Sequence, residues 1–296
     1  MEKENILLTI TMLVYNDEKY IDEAILSLLN QTYKNFILII SDDCSTDKSS
    51  SICRRYAEKD KRINYIKHDK NMGSSLNFKC ALDKVKTPFA IQCSGHDVYH
   101  LEFLEKLLPI IQTEDLVLVY SQSREIKMDR TLGKIYQDDY STSEIEKPAD
   151  RYMYILKNLR SGNIFQGIWK TEVLKKCYWK PVISDDFIML LRAALIGKFK
   201  QYQSVLFFRR TTRKQESSEE MYRRQYNMIY GRHPEKPPRT YLIKNRFIFE
   251  NVKILFKTET NLSLFSKLNL SVKTIYARIR KFYIKFSFGQ MFRKIL

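Results

Sequence analysis

The chain has 296 residues, 44% hydrophobic and 13% aromatic, which is enough to bury one large α/β core and too apolar for a disordered chain. Its formal charge of +17 calls for an anionic partner: a phosphorylated substrate, an anionic membrane surface or nucleic acid. Five cysteines, odd in number and without CxxC spacing, argue against a disulfide framework or a zinc site and point to a reducing, cytoplasmic setting.

Residues 6–14 form a nearly continuous apolar, β-branched run, as in a strand covered on both faces, and end in Tyr15-Asn16-Asp17-Glu18. Ile21, Ile25, Leu28 and Leu29 follow at helical spacing. A second strand over 36–41 closes on Asp42-Asp43-Cys44-Ser45-Thr46-Asp47, where Thr46 or Asp47 can cap a helix running towards Asp60. Residues 63–67 read as a third strand and 74–85 as a third helix, with Leu76, Cys80 and Val85 on its apolar stripe.

The run 89–93 has the length of a fourth buried strand and breaks into Ser94-Gly95-His96-Asp97 before a helix over 101–111. Residues 116–121 make a fifth strand. Strands joined by crossover helices run parallel with right-handed connections, so their loops meet on one edge of an open sheet. Three of those loops carry carboxylates: Glu18, Asp42 with Asp43, and Asp97. Ligands collect at such an edge, and an Asp there can hold a divalent cation against nucleotide phosphates; taken alone, Asp97 reads more readily as part of a solvated polar turn.

Beyond Ser121 the patterning loosens. Residues 136–150 are polar and turn-rich and read as a flexible loop, 152–159 as a helix broken by 162–167, and 205–209 as a strand. A strong helix over 186–196 stops at Gly197, which suits a left-handed C′ position.

Several of these pieces, in order, resemble the family 2 glycosyltransferases of GT-A fold: ITMLVYNDEKYIDEAILSLLNQTYKNFILIISDDCSTDKS, Asn71-Met72-Gly73 with Asn77, FAIQCSGHDVYHLEFLEKLL, GNIFQGIWKTEVLKK, ISDDFIMLLRAALIGKFKQY and LFFRR. The resemblance covers about the first 210 residues. It implies an α/β, Rossmann-like, mostly parallel open sheet flanked by helices, and inverting transfer of a sugar from a nucleoside diphosphate, UDP by default, to a glycan or lipid-linked acceptor in cell-surface polysaccharide synthesis.

By that resemblance Asp43 accepts a hydrogen bond from the nucleotide base, with Tyr15, Asn16, Glu18 and Asn77 around the same pocket. Asp97 matches the metal-binding carboxylate that holds Mg2+ or Mn2+ against the diphosphate. The sequence departs from the family in Ser94 and His96, which stand where acids are common; His96 is then a ligand, a ribose contact or a packed loop residue. Asp186 aligns with the catalytic base and Asp185 with the acid before it, although either could instead cap the following helix. Asn163 to Gly167 would face the acceptor, and Arg209 and Arg210 either approach the diphosphate or solvate a strand end.

The implied organisation is a catalytic domain over 1–215, with a nucleotide half (1–121) and an acceptor half (122–215), a linker over 216–239 and a basic extension over 240–296. That extension holds twelve Lys and Arg against Glu250 and Glu259. Tyr276, Ile279, Phe282, Tyr283 and Phe286 make a helical stripe among Arg278, Arg280, Lys281 and Lys285, suited to an anionic membrane surface on the inner face of the cell, to packing on the catalytic domain, or to an oligomer contact. Nucleic acid is not expected: no helix-turn-helix, zinc or RNP-like signature is present, and the charge sits in the tail. A non-catalytic nucleotide-sugar or glycan-binding module of the same fold is the alternative to an enzyme.

Overall fold

The computed structural model describes residues 6–137, 139–178, 180–182, 184–212, 218–230 and 240–279. In chain order the elements are β1 (Leu8–Val14), α1 (Ile21–Leu29), β2 (Phe36–Asp42), α2 (Ser49–Lys59), β3 (Ile63–Lys67), α3 (Ser74–Asp83), β4 (Phe89–Ser94), β5 (Val98–Tyr99) and α4 (Phe103–Thr113). There follow β6 (Leu118–Ile126), β7 (Leu132–Tyr136), α5 (Pro148–Asn158), a 3-10 turn at Gly162–Gln166, β8 (Ile168–Lys170), α6 (Thr171–Cys177) and α7 (Asp185–Ile196). The chain continues through β9 (Phe199–Arg210), α8 (Ser218–Tyr230), α9 (Thr240–Lys257) and α10 (Leu264–Ile279).

The strands join one curled sheet in the order β3-β2-β1-β4-β8-β6-β9-β5, with β7 paired to β6. The expected parallel β-α-β succession holds for β3, β2, β1 and β4. It fails in the next lane, where β8 lies antiparallel between β4 and β6. β8 enters straight from the 3-10 turn with no crossover helix, and its three residues are too few to show a period. Two antiparallel steps bring β6 back parallel to β4, and β9 runs parallel to β6. The carboxyl ends of β1, β2, β4, β6 and β9 therefore share one edge, together with the start of β8.

Alternation along the strands feeds two cores. Leu8, Ile10, Met12 and Val14 of β1 point with Leu38 and Ile40 towards Ile21, Ala24, Ile25 and Leu28 of α1 and the apolar face of α4. Ile39, Ala90, Leu118 and Tyr120 look the other way, onto α3, α5, α6 and α7. Between the faces, the buried Thr9 hydroxyl bonds Thr87 Oγ1 (2.8 Å) and Thr11 donates to Ile91 O (3.0 Å), so neither strand hydroxyl is left unsatisfied.

Several expectations are corrected. Leu76 is exposed; α3 buries Ser75, Asn77, Phe78, Ala81 and Leu82 instead, because Asn77 is drawn inward by polar bonds to β2. Gly197 is extended (φ −157°), not left-handed, and glycine is required there because a Cβ would collide with the Val117 side chain. The stretch 136–150 is pinned rather than loose: Tyr140 and Thr142 are buried, Tyr140 N–H donates to Tyr120 OH (2.7 Å), and Thr142 N–H donates to Phe199 O (2.9 Å). Asp47 accepts from Ser49 N–H (2.9 Å) at the start of α2, whereas Thr46 turns to Asn16.

Of the expected linker, 218–230 is helical; the Gly and Pro breaker signal is confined to 231–238, which lies outside the described residues. α9 and α10 pack on α5 and α7. Tyr152 OH joins them, 3.2 Å from Asn251 O and 3.2 Å from Thr274 Oγ1, while Lys180 pairs with the buried Glu250 at 2.7 Å. Arg278, expected on the solvated rim of a basic stripe, is buried, and desolvation pushes its guanidinium down to about 10. The remainder of that stripe, from Arg280 on, is outside the described residues.

Candidate active site

Asp97 follows β4 and is buried. Its Oδ1 accepts the backbone N–H of Arg210 (2.8 Å), and the Arg210 side chain returns Nε to His96 O (2.9 Å) and Nη2 to Glu23 Oε2 (2.7 Å), with its guanidinium over the Tyr20 ring. The two-residue β5 supports this closure by pairing Val98 and Tyr99 with Phe208 and Phe207. Arg210 is thus a bracket for the Asp97 loop rather than a diphosphate contact or a solvated strand end.

Burial raises the Asp97 carboxyl, while His96, the Arg210 N–H and the charge of Arg209 oppose the rise. Arg209, the exposed neighbour of Arg210 on the alternating strand, also lowers Asp186, whose carboxyl burial pushes up. One guanidinium therefore lies within electrostatic reach of both acids, although the three residues come from three elements.

Asp185 and Asp186 open α7 behind Ser184, a non-glycine residue in the left-handed region (φ 62°) whose side chain makes no cap bond. Asp185 accepts from Asp186 N–H at 3.0 Å. Burial and then the adjacent Asp186 charge push Asp185 up to about 7. Gly162 faces Asp186 so closely that an added Cβ would overlap its Oδ2, so the 3-10 turn leaves the carboxylate its space only because residue 162 has no side chain. Beyond it, Asn163 donates to Ser123 Oγ (2.9 Å), tying the expected acceptor face to β6.

At the nucleotide end, Asp43 is buried and already holds two backbone donors, Met72 N–H at 2.8 Å and Gly73 N–H at 2.9 Å. Gly73 supplies the second from a positive φ of 88°. Burial nevertheless raises Asp43. A carboxylate has about four acceptor positions, so an oriented Asp43 keeps capacity for a base N–H. Asp42 is different in kind: burial would raise it, but bonds from Ser45, Ser50 and Tyr65 outweigh that and lower it, and it serves the β2–α2 loop.

Asn16 and Glu18 fasten the β1–α1 loop to the β2–α2 loop: Asn16 Oδ1 accepts Thr46 N–H (2.9 Å), and Glu18 Oε2 accepts Lys48 N–H (3.1 Å). Tyr15, just before them at the end of β1, is exposed. Asn77, expected in the nucleotide pocket, is buried and committed to Ser41 and His68 (Oδ1 to Ser41 Oγ 2.6 Å, to His68 Nε2 3.1 Å), so it shapes the end of β2 from behind.

Sequence reasoning missed two residues. Asp17 sits between Asn16 and Glu18, and its Oδ1 meets His96 Nδ1 at 2.9 Å; its Oδ2 packs where a Cβ on Gly95 would have to go. Its only signal was its place in the same loop-end tetrapeptide. His68, at the end of β3, faces Asn77 and Ser41 and its charge lowers Asp43. A lone His in a polar run carried no signal.

The donor set fits a divalent cation in one way. Among the described residues no group of three or more His, Cys, Asp or Glu is arranged as a closed metal cage. Asp97, with one oxygen committed to Arg210 N–H, can still contribute a carboxylate oxygen, and a Mg2+-like ion bound through one or two carboxylates plus substrate phosphates needs no more.

Comparison with known proteins agrees with this architecture. The fold is similar to that of Staphylococcus aureus TarS 1–349 solved with UDP (TM-score 0.65, 17% identity, 94% of this chain and 72% of that one). It is also similar to the mannosyltransferase PcManGT of Pyrobaculum calidifontis solved with GDP-Man and Mn2+ (TM-score 0.53, 14% identity, 96% and 83%). An uncharacterized glycosyltransferase of Haemophilus influenzae is 34% identical over 143 residues, 46% of this chain and 56% of that protein. The chain spans about half the length of the first curated relatives it matches. Because the profile of glycosyl transferase family 2 matches residues 9–195, well over half of the chain, the protein belongs to that family.

Proposed function

We propose that the protein is an inverting glycosyltransferase that moves a sugar from a nucleoside-diphosphate donor, a UDP-sugar, to a hydroxyl of a glycan or lipid-linked acceptor in cell-surface polysaccharide synthesis. The observation that carries this reading is the convergence of Asp97, Asp186 and Arg209 on one sheet edge, with Arg209 acting on both acids.

Asp186 takes the proton of the acceptor hydroxyl. The acceptor oxygen forms a bond to the anomeric carbon from the face opposite the donor's diphosphate, and the bond from that carbon to the diphosphate oxygen breaks, releasing the nucleoside diphosphate. Burial raises Asp186 and so makes it a stronger base than a surface carboxylate. Arg209 faces the developing charge of the leaving group, and Asp43 orients the base. Asp97, together with the donor phosphates, would hold a divalent cation, Mg2+ or Mn2+, which would supply further positive charge against the departing diphosphate. The ligands bound by the two fold neighbours, UDP and GDP-Man with Mn2+, support a nucleotide-sugar donor and a metal.

Asp186→Asn is expected to abolish transfer and to leave donor affinity, read by calorimetric titration of UDP-sugar, within a few fold. Loss of donor affinity together with activity would make Asp186 a donor-binding or structural residue. The second reading, a binding module without catalysis, is favoured only by Ser94 and His96 in place of acids. It predicts UDP-sugar binding with no metal-dependent donor hydrolysis, whereas the enzyme predicts hydrolysis that Asp97→Ala removes.

A further inference from the structure

α10 is amphipathic in the inverse sense. The residues it turns inward, onto α5 and α9, include Ser271, Thr274 and Arg278 beside Leu270. The residues it turns outward are large and apolar: Leu264 (67% exposed), Phe265 (79%), Leu268 (52%), Val272 (67%), Ile275 (40%) and Tyr276 (64%). Phe265, Leu268, Val272 and Tyr276 fall at three- and four-residue steps, so they form one stripe. α9 adds Phe249 and Phe256, both exposed and seven residues apart on one helical face. Single exposed apolar side chains need no explanation, but a stripe such as that of α10 marks a surface that something covers.

Charge identifies the cover. Lys267 and Lys273 flank the stripe of α10, and Lys253, lying over the Phe249 ring, and Lys257 line α9. Of the two acids in 240–296, Glu250 is buried against Lys180, which leaves Glu259 alone at the surface. A second copy of the chain would bring two such basic faces together, and like charges oppose that pairing. No helix among the described residues is long and apolar enough to cross a membrane, so the face suits a helix lying in an interface.

We propose that the outward face of α10, with the Phe249 and Phe256 edge of α9, docks on an anionic bilayer surface. The aromatic and aliphatic stripe enters the headgroup boundary while the lysines meet lipid phosphates. This surface belongs to described, packed helices, not to the stripe centred on Phe282 and Tyr283 that the sequence alone suggests, and it stands whether or not the sugar-transfer reading holds.

The test uses the full chain and co-sedimentation with vesicles of phosphatidylcholine alone or with 30% phosphatidylglycerol. The wild type is expected to bind the anionic vesicles and to bind phosphatidylcholine much more weakly. Phe265→Ser with Val272→Ser and Tyr276→Ser should lower anionic-vesicle binding at least tenfold; Lys267→Gln and Lys273→Gln should lower it about fivefold each at low salt. An unchanged thermal midpoint shows that these surface variants remain folded. Separately, Phe265→Trp should give a blue-shifted emission on adding anionic vesicles. Equal binding by wild type and the triple variant, no shift of the tryptophan, or a dimer in sedimentation velocity that the triple variant abolishes would each overturn the proposal.

Discussion

Asp17 Oδ1 lies 2.9 Å from Nδ1 of His96, joining the loop after β1 to the loop after β4 next to Asp97. The contact fixes the imidazole plane and directs Nε2 away from Asp17. His96 stands where the family more often has an acid, so the ring needs a holder that an acid would not. His96→Ala and Asp17→Ala are each expected to raise the donor KM about fivefold, the worth of one side-chain hydrogen bond, with kcat nearly unchanged. The double variant should be little worse than either single one, because the two act as a unit; steady-state kinetics over donor concentration checks both points.

Arg209 is expected to set the acid limb of activity. Its positive charge lowers both Asp97 and Asp186 against the rise caused by burial. Removing it disfavours both anions, so Arg209→Gln should move the acid limb of the kcat/KM profile to higher pH. Near neutrality activity should fall roughly tenfold or more, as expected when a charge that stabilises the leaving group is lost. A profile that drops uniformly without moving would leave Arg209 a role in binding alone.

Asp185 is expected to contribute stability in acid that is lost in base. Its carboxyl is held up at about 7, so the folded chain keeps this proton more tightly than the unfolded chain, where a carboxyl titrates near 3.9. That contribution is complete below the unfolded value and is lost as pH rises through about 7. Asp185→Asn does not titrate, so its thermal midpoint relative to wild type should be higher at pH 8 than at pH 4, by on the order of a few degrees. Melting curves at the two pH values decide it.

Gly162→Ala should act on chemistry from outside the reacting atoms. The new Cβ would overlap Asp186 Oδ2, and the carboxylate has to move. Displacement of a reacting group by about 1 Å can cost about a hundredfold in rate. Single-turnover rates should fall by that order while calorimetric donor affinity stays within a few fold.

The legibility of the sequence followed strand length and burial. β1, β2 and β4 announce themselves as apolar runs because both their faces are covered. β8 and β5 are three and two residues long, so neither carries a period, yet β8 reverses the sheet direction and β5 closes the Asp97 loop. β6 continues past Ser121 through Gln122, Ser123 and Arg124, whose polarity hid the strand. Among site candidates, Asp43, Asp97 and Arg209 stand at or just past strand ends that could be read, and Asp185 and Asp186 at the start of a helix that could be read. Asn77 was misplaced because spacing along a helix does not reveal which polar residue turns inward to bond a strand.

The bulged register of β9 against β6 divides the molecule into places where length counts and places where it does not. Two residues of β9, Gln203 and Ser204, lie between Tyr202 and Val205 where β6 takes a single step from Ser121 to Gln122, and a second offset follows before Phe207 meets Ser123; these offsets set which of Arg209 and Arg210 faces which side of the strand. One residue inserted after Phe207 would exchange the two arginines, putting the bracket of Asp97 in solvent and the exposed charge of Arg209 inside. The β6–β7 turn at 127–131 is free of that constraint, because among the described residues β7 is an outlying strand, off the main strand order, that pairs with β6. A tag or fused domain is therefore better inserted at that turn than anywhere along β9.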